Sequence, residues 1–269
     1  MTEFELPILD ASTLGWDRLV GRMNLMLRTT GVGVVRNFWP RTAAYMSFMS
    51  RFGTPLEYYG DDAGTHPEHR AIWRVRYDER AWSRGEVHAA DGPLAVHSSQ
   101  SLLDPRPRFF CMLMVDNGWQ DQADGSNGES LIVSWAEALR VLRSNHPAEF
   151  EDMRALLLDG VEFPDGTTRP LAYELGKPMN DDDLGVRLNS KQLEHLQHSD
   201  PGSPAAVAVE RLCAAAQAAA HRIRLRSRDL IIVDNDRWGH GRESVVGQRV
   251  GADGSVECNP RELWSATVA

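Results

Sequence analysis

The chain has 269 residues, 42% hydrophobic and 25% charged. That balance is typical of a globular protein and excludes collagen-like, disordered and disulfide-scaffold classes. Asp and Glu outnumber Lys and Arg by 38 to 29, giving a formal net charge of −9. Nucleic acid, whose phosphates call for basic surface, is therefore excluded as the main partner. Cys111, Cys213 and Cys258 are an odd, widely spaced set, which is neither a disulfide framework nor a zinc ribbon. The acidic start Met1-Thr2-Glu3-Phe4-Glu5 lacks the basic and apolar regions of a secretory signal. No apolar run approaches the ~20 residues of a membrane span. These features point to a cytoplasmic location and no membrane partner.

Taken in chain order, residues 16–29 place Leu19, Met23, Met26 and Leu27 at helical spacing. A Gly-bounded, β-branched strand follows at 31–36. Residues 42–52 read as a helix that stops at Gly53 with Pro55 beyond, and 59–67 as a loop. Residues 72–77 alternate like a half-buried strand. Strands are expected at 94–96, 108–115 and 131–133. A helix at 134–143 carries Ser134 and Glu137 in the spacing of a capping box, and a second helix spans about 147–158. The polar stretch at about 160–200, with Asp181-Asp182-Asp183, reads as a lid or insert within a single domain spanning 1–269. An Ala-rich helix at 204–221 precedes strands at 222–225 and 229–234. The turn Ala252-Asp253-Gly254 joins two β-rich runs as a hairpin, and 261–268 closes the chain. Helices at the front with strands through the middle and end predict an α+β class with a sheet-rich core. No G-x-G-x-x-G follows a strand, and no phosphate-binding G-x-x-x-x-G-K-[ST] exists.

Two of the nine histidines sit where predicted strands end. His97 leads His97-Ser98-Ser99-Gln100-Ser101, and His240 follows Asp234-Asn235 and precedes Gly241-Arg242. His66, His69, His88, His146 and His221 read as surface or core residues. His195 and His198 fall at i, i+3, but no third ligand accompanies them at a known spacing.

These segments resemble the iron(II)/2-oxoglutarate-dependent oxygenases of the taurine dioxygenase and clavaminate synthase-like superfamily. The resembling segments, in the family's order, are His97 to Ser101, the Pro105 to Val115 turn and strand, Gly128-Glu129-Ser130, Asp229 to Asn235 leading to His240-Gly241-Arg242, and Arg261-Glu262-Leu263. The resemblance implies a double-stranded β-helix (jelly roll) core with flanking helices. It also implies Fe(II) on His97 and His240, and 2-oxoglutarate on Arg261 and Ser130. Arg242 stands close behind the metal ligand, and the implied substrate is a small, amino-acid-like molecule. An arginine fork is the natural bidentate partner of the cofactor's distal carboxylate.

The departure from the family lies at Ser99, where the motif carries Asp or Glu. Three readings are open. Ser99 leaves a coordination position to water or an exogenous anion, chloride among them, as in halogenating relatives with Ala or Gly there. Alternatively, Asp62, Asp91 or Asp104 takes over as the carboxylate ligand. In the third reading the site is degraded and the protein only binds. Arg249 rivals Arg261 for the carboxylate role, because the span from His240 to Arg261 is longer than the family usually shows. Tyr58, Tyr59 and Trp238 are candidate pocket walls, and Asp234 is a candidate partner for a substrate amine.

Overall fold

Apolar and β-branched runs make the strands of this molecule, and amphipathic stretches make its helices. A computed structural model describes residues 6–57, 64–83, 89–176 and 183–269. The chain begins with β1 (Ile8–Asp10), α1 (Trp16–Thr29), β2 (Val32–Arg36), α2 (Thr42–Met49), β3 (Pro55–Leu56), β4 (Thr65–His66), β5 (His69–Arg76) and α3 (Glu79–Ser83). It continues with β6 (Leu94–His97), β7 (Phe109–Asp116), β8 (Ser130–Ser134), α4 (Trp135–Asn145) and α5 (Phe150–Asp159). Then come β9 (Val161–Glu162), β10 (Thr168–Arg169), β11 (Ala172–Glu174), β12 (Leu184–Val186), α6 (Gln192–Ser199) and α7 (Pro204–Ala219). The last part holds β13 (His221–Ile223), β14 (Leu230–Asp234), β15 (Trp238–Arg242), β16 (Gln248–Val250), β17 (Val256–Cys258) and β18 (Glu262–Val268).

Two sheets carry the architecture. The larger has the order β1-β2-β14-β7-β18-β5-β4, with β3 also on β18, and the smaller has the order β13-β8-β15-β6. Among the described residues, only β1 and β2 pair in parallel. The alternation of strand side chains divides the larger sheet's residues between two cores. Phe109, Cys111 and Leu113 of β7 and Leu230 and Ile232 of β14 pack with helices α1 and α2. Phe110, Met112, Met114, Ile231 and Val233 turn the other way, toward Ile132 of the smaller sheet. Burial on both faces explains why β7 and β14 read as continuous apolar runs rather than alternating ones. The outer face of the smaller sheet, with Leu131 and Val133, packs under α4, α5 and α7. The α+β reading with a sheet-rich core and flanking helices therefore holds.

The capping box does not form. Ser134 is the last residue of β8, paired with Trp238, and makes no side-chain cap bond. Glu137 instead accepts from the Arg140 Nε at 2.9 Å. The working cap belongs to α7, where the Ser203 hydroxyl accepts from the Ala206 amide at 3.2 Å and Pro204 opens the helix. The expected Asp-Gly hairpin is present as β16 and β17.

The polar stretch at about 160–200 supplies two small hairpins and α6. Its apolar residues, among them Phe163, Leu171, Val186 and Leu188, are buried in the helical core. It also braces the loop after β6. The Ser98 amide donates to the Leu188 carbonyl at 2.8 Å, and the Ser98 hydroxyl donates to the Val186 carbonyl at 2.7 Å. Asp181, Asp182, Tyr58, Tyr59, Asp62 and His88 lie outside the described residues. Among the described residues, no helix is long and apolar enough to cross a membrane.

Candidate active site

His97 ends β6 and His240 lies within β15, and the two are directly registered partners in an antiparallel ladder. Such partners project to the same face of a sheet. Their ring centroids are 4.3 Å apart. The glycines beside His240 permit this approach. A Cβ at Gly241 would lie 2.7 Å from the Leu94 carbonyl, and one at Gly239 would lie 2.5 Å from the Trp135 ring.

Each imidazole is held in a ligand-like state. The Nδ1 of His97 lies 2.9 Å from the Ala95 carbonyl. That contact favours a proton on Nδ1 and leaves the Nε2 lone pair free. The His240 ring stacks on Phe110 at 3.9 Å, and its Nδ1 is buried without a hydrogen-bond partner. Burial lowers the pKa of His97, opposed by the Ala95 carbonyl, and burial plus the neighbouring His97 lowers that of His240 well below the ordinary value. Both rings are thus neutral at pH 7, the form that binds a metal. An orphaned buried imidazole nitrogen beside a second neutral imidazole fits a transition metal such as Fe(II).

The histidines open on a cavity of about 350 Å³ between the sheets. Trp73, Val75, Phe110, Met112 and Leu263 give it an apolar wall, and Ser99, Ser130, Arg242 and Arg261 a polar one. The structure therefore gathers all six sequence-nominated site residues, His97, Ser99, Ser130, His240, Arg242 and Arg261, around one space.

Ser99 is buried there, and no carboxylate joins it among the described lining residues. Among the described residues, no three of His, Cys, Asp and Glu are grouped to hold a metal. Asp91 and Asp104 line separate recesses. The Ser99 backbone is fixed by Asn235, whose side-chain carbonyl accepts from the Ser99 amide at 2.8 Å. The Asn235 amide group donates to the Ser99 carbonyl at 2.9 Å and to the Pro107 carbonyl at 3.0 Å.

Arg261 is buried, and its Nη2 donates to the Gly128 carbonyl at 2.9 Å. Burial and the nearby Arg242 charge press its pKa down to about 9, with Glu129 opposing. Burial presses Arg242 down to about 10, with Asp91 opposing, and its Nη2 donates to the Ala90 and Gly92 carbonyls at 2.7 Å. A guanidinium stays protonated at neutral pH even so. The cavity thus carries two desolvated cations and, among its described lining residues, no carboxylate. Gly128, at φ +68°, makes room for Arg261, since a Cβ there would lie 2.8 Å from its Nε. Glu129 accepts from the Gly125 and Asn127 amides at 3.2 and 3.1 Å and tightens the turn that delivers Ser130.

Several expectations are corrected. Arg249 is not the cavity arginine, because it pairs with Asp121 and stacks 3.7 Å over Trp119, away from the histidines. Trp238 is not a pocket wall. It is buried and donates from Nε1 to the Thr30 carbonyl at 2.9 Å, and Trp73 takes that place. Asp234 faces a different recess. His195 bonds to Glu162 at 3.1 Å and is not part of a metal cluster among the described residues. The roles of Phe110 and Asn235 were missed. Both stand inside quoted motifs, but their contacts reach across more than a hundred residues of chain.

Two facing sheets hold paired neutral imidazoles and buried arginines between them, an arrangement that fits a non-haem metal site. The chain belongs to the taurine catabolism dioxygenase TauD, TfdA family, whose model matches residues 3–264. It is accordingly a 2-oxoglutarate-dependent non-haem iron dioxygenase by family. No curated protein matches the chain. Among solved structures it is similar to an asparagine oxygenase in complex with Fe(II), 2S,3S-3-hydroxyasparagine and succinate. That match has 18% identity and a TM-score of 0.62, covering 94% of this chain and 79% of the other. It is also similar to the non-haem iron oxygenase OrfP in complex with Fe and alpha-ketoglutaric acid (13%, TM-score 0.61, covering 98% and 94%). PvcB from Pseudomonas aeruginosa gives 16% and a TM-score of 0.58, covering 97% and 82%. At these identities the likeness establishes the fold.

Proposed function

We propose that this chain uses Fe(II), 2-oxoglutarate and O2 to modify a C–H bond of a small amino-acid-like molecule in specialised metabolism. The outcome at carbon would be hydroxylation, desaturation or halogenation. The two facing sheets are read as a double-stranded β-helix, the chain as one catalytic domain, and its location as cytoplasmic. The observation that carries the proposal is the convergence of His97, His240 and Arg261 on one cavity. The amino-acid class of substrate is supported by the similar structures, which hold 2S,3S-3-hydroxyasparagine or (3S)-hydroxy-L-Arg.

In this reading His97 and His240 hold the metal as neutral donors. Arg261 takes the distal carboxylate of 2-oxoglutarate as a guanidinium fork, and the Ser130 hydroxyl hydrogen-bonds the same cofactor. Iron with 2-oxoglutarate and O2 supplies the oxidising power, and the chain supplies position, charge and exclusion of water. The charge balance favours anionic occupants. A divalent metal would add to the charges of Arg242 and Arg261, and the described lining offers no carboxylate to offset them. A dianionic cofactor answers half of that excess. Ser99, too small and too weak a donor to replace Asp, leaves the remaining position to water or an anion such as chloride.

Ser99 also favours a second reading, a binding protein on the same fold without turnover. The test measures succinate release and product mass for wild type and Ser99→Asp, with Fe(II), 2-oxoglutarate, O2 and chloride, across an amino-acid panel. The open-position reading predicts turnover by wild type and a shift of product toward hydroxylation in Ser99→Asp. Absence of succinate release by wild type on every substrate, with 2-oxoglutarate still bound, supports the binding protein instead.

A further inference from the structure

A second recess, of about 650 Å³, opens where the loop after β6 meets the turn between β14 and β15. Asp104, Arg106, Arg108, Arg187, Asp234 and Asp236 build most of its wall, and it shares no described lining residue with the histidine cavity. The reaction proposed above makes no use of it.

The charges of this recess are unevenly matched. The Arg106 side chain is only 10% exposed, and its Nη2 bonds Asp236 at 2.7 Å and the Tyr173 hydroxyl. Its Nη1 is buried without a hydrogen-bond partner. Arg187 donates to the Leu103 carbonyl at 3.1 Å. Burial lowers its pKa, and the cations of Arg106 and Arg169 add to that, with Asp104 and Tyr173 opposing. Arg108 is exposed, with its guanidinium 4.9 Å from the Phe109 ring centre. Among the described residues, Arg106 and Arg237 have carboxylates in ion-pair range, whereas Arg108 and Arg187 have none. The described wall sets Arg106, Arg108, Arg187 and Arg237 against Asp104, Asp234 and Asp236, and Arg108 and Arg187, the latter partly desolvated beside Arg106, keep guanidinium donors that no wall carboxylate holds in an ion pair. Guanidinium forks bind oxyanions bidentately, and a tetrahedral dianion offers acceptors to forks arriving from several sides, which a flat carboxylate does not.

We propose that this recess is an oxyanion site that takes a phosphoryl group between Arg106, Arg108 and Arg187. The site stands on its own residues and does not depend on the iron chemistry above.

Line broadening of inorganic phosphate in ³¹P NMR, titrated with the full-length protein, tests the proposal. The proteins compared are wild type, Arg108→Gln, Arg187→Gln and Arg261→Met. Arg108 is exposed and has no ion-pair partner among the described residues, so its variant reports on binding without disturbing the core. Phosphate is expected to bind wild type and Arg261→Met alike. The affinity should fall about tenfold in each of the Arg108 and Arg187 variants, the effect of one lost charge-assisted hydrogen bond. Absence of phosphate binding by wild type overturns the proposal. So does binding that Arg261→Met abolishes and Arg108→Gln and Arg187→Gln preserve, because the anion would then sit in the histidine cavity. A parallel titration with O-phosphoserine separates the sources within a positive result. Tighter binding than phosphate marks a phosphoryl group carried on a larger ligand, and equal binding marks the free anion.

Discussion

Asn235 grips Ser99 by its backbone on both sides, accepting from its amide at 2.8 Å and donating to its carbonyl at 2.9 Å. The two residues are 136 positions apart in the chain. One amide side chain therefore joins the turn after β14 to the loop after His97. It fixes the loop that carries Ser99 into the cavity wall.

Replacing Asn235 by Ala leaves the Ser99 amide and the Ser99 and Pro107 carbonyls without this partner in a buried setting. The expected loss of stability is about 2–4 kcal/mol, read from urea denaturation. Asn235→Asp keeps the acceptor but sets a buried carboxylate oxygen against the Ser99 and Pro107 carbonyls, so at pH 7 it should be no more stable than the Ala variant. A loss below that of an ordinary surface substitution would show that the loop is held by other contacts, such as those of Ser98.

Arg261 and Arg249 separate cleanly by position. Arg261→Met should weaken 2-oxoglutarate binding about 100-fold, because a buried cation facing the ligand is removed. Arg249→Met should change it by no more than about twofold, since it removes a surface pair with Asp121. Calorimetric titration of 2-oxoglutarate with the Fe(II)-loaded proteins checks both. A large effect at Arg249 with none at Arg261 would reverse the assignment.

How much of this was legible beforehand depends on how local each signal is. His97, His240 and Arg261 announce themselves by short adjacent text, and the strands β7 and β14 by unbroken apolar runs. Trp238 and Trp73 could not be ranked as pocket walls, because which tryptophan faces the cavity is decided by sheet register and by the bond from Trp238 to the Thr30 carbonyl. The Ser134 and Glu137 capping box failed for a related reason: Ser134 is paired in a strand, and Arg140 draws Glu137 away. The absence of a described carboxylate beside Ser99 also needed coordinates, since Asp91 and Asp104 are near in sequence and face other spaces.

Glu129 gives the protein an acid-sensitive element beside Ser130 and Arg261 of the cavity wall. Burial acts to raise its pKa, but backbone amides of Glu129, Gly125 and Asn127 together with Arg224 overcome this and hold the carboxyl at about 2 instead of 4.5. A depressed carboxyl contributes its full stability above the unfolded value and loses it as pH falls toward the folded one. Wild type should therefore lose stability between about pH 4.5 and about 2 more steeply than Glu129→Gln. Glu129→Gln should be the less stable of the two at pH 7. Parallel stability curves across that window would show that Glu129 titrates normally.

The proposed chemistry requires His97 and His240 to share one metal ion. Anaerobic titration of Fe(II) into the protein with saturating 2-oxoglutarate, followed by visible absorption, measures this directly. A charge-transfer band is expected to saturate at one equivalent of iron in wild type and to be absent in His97→Ala and His240→Ala. A featureless titration of wild type, or a band that survives loss of either histidine, would contradict it.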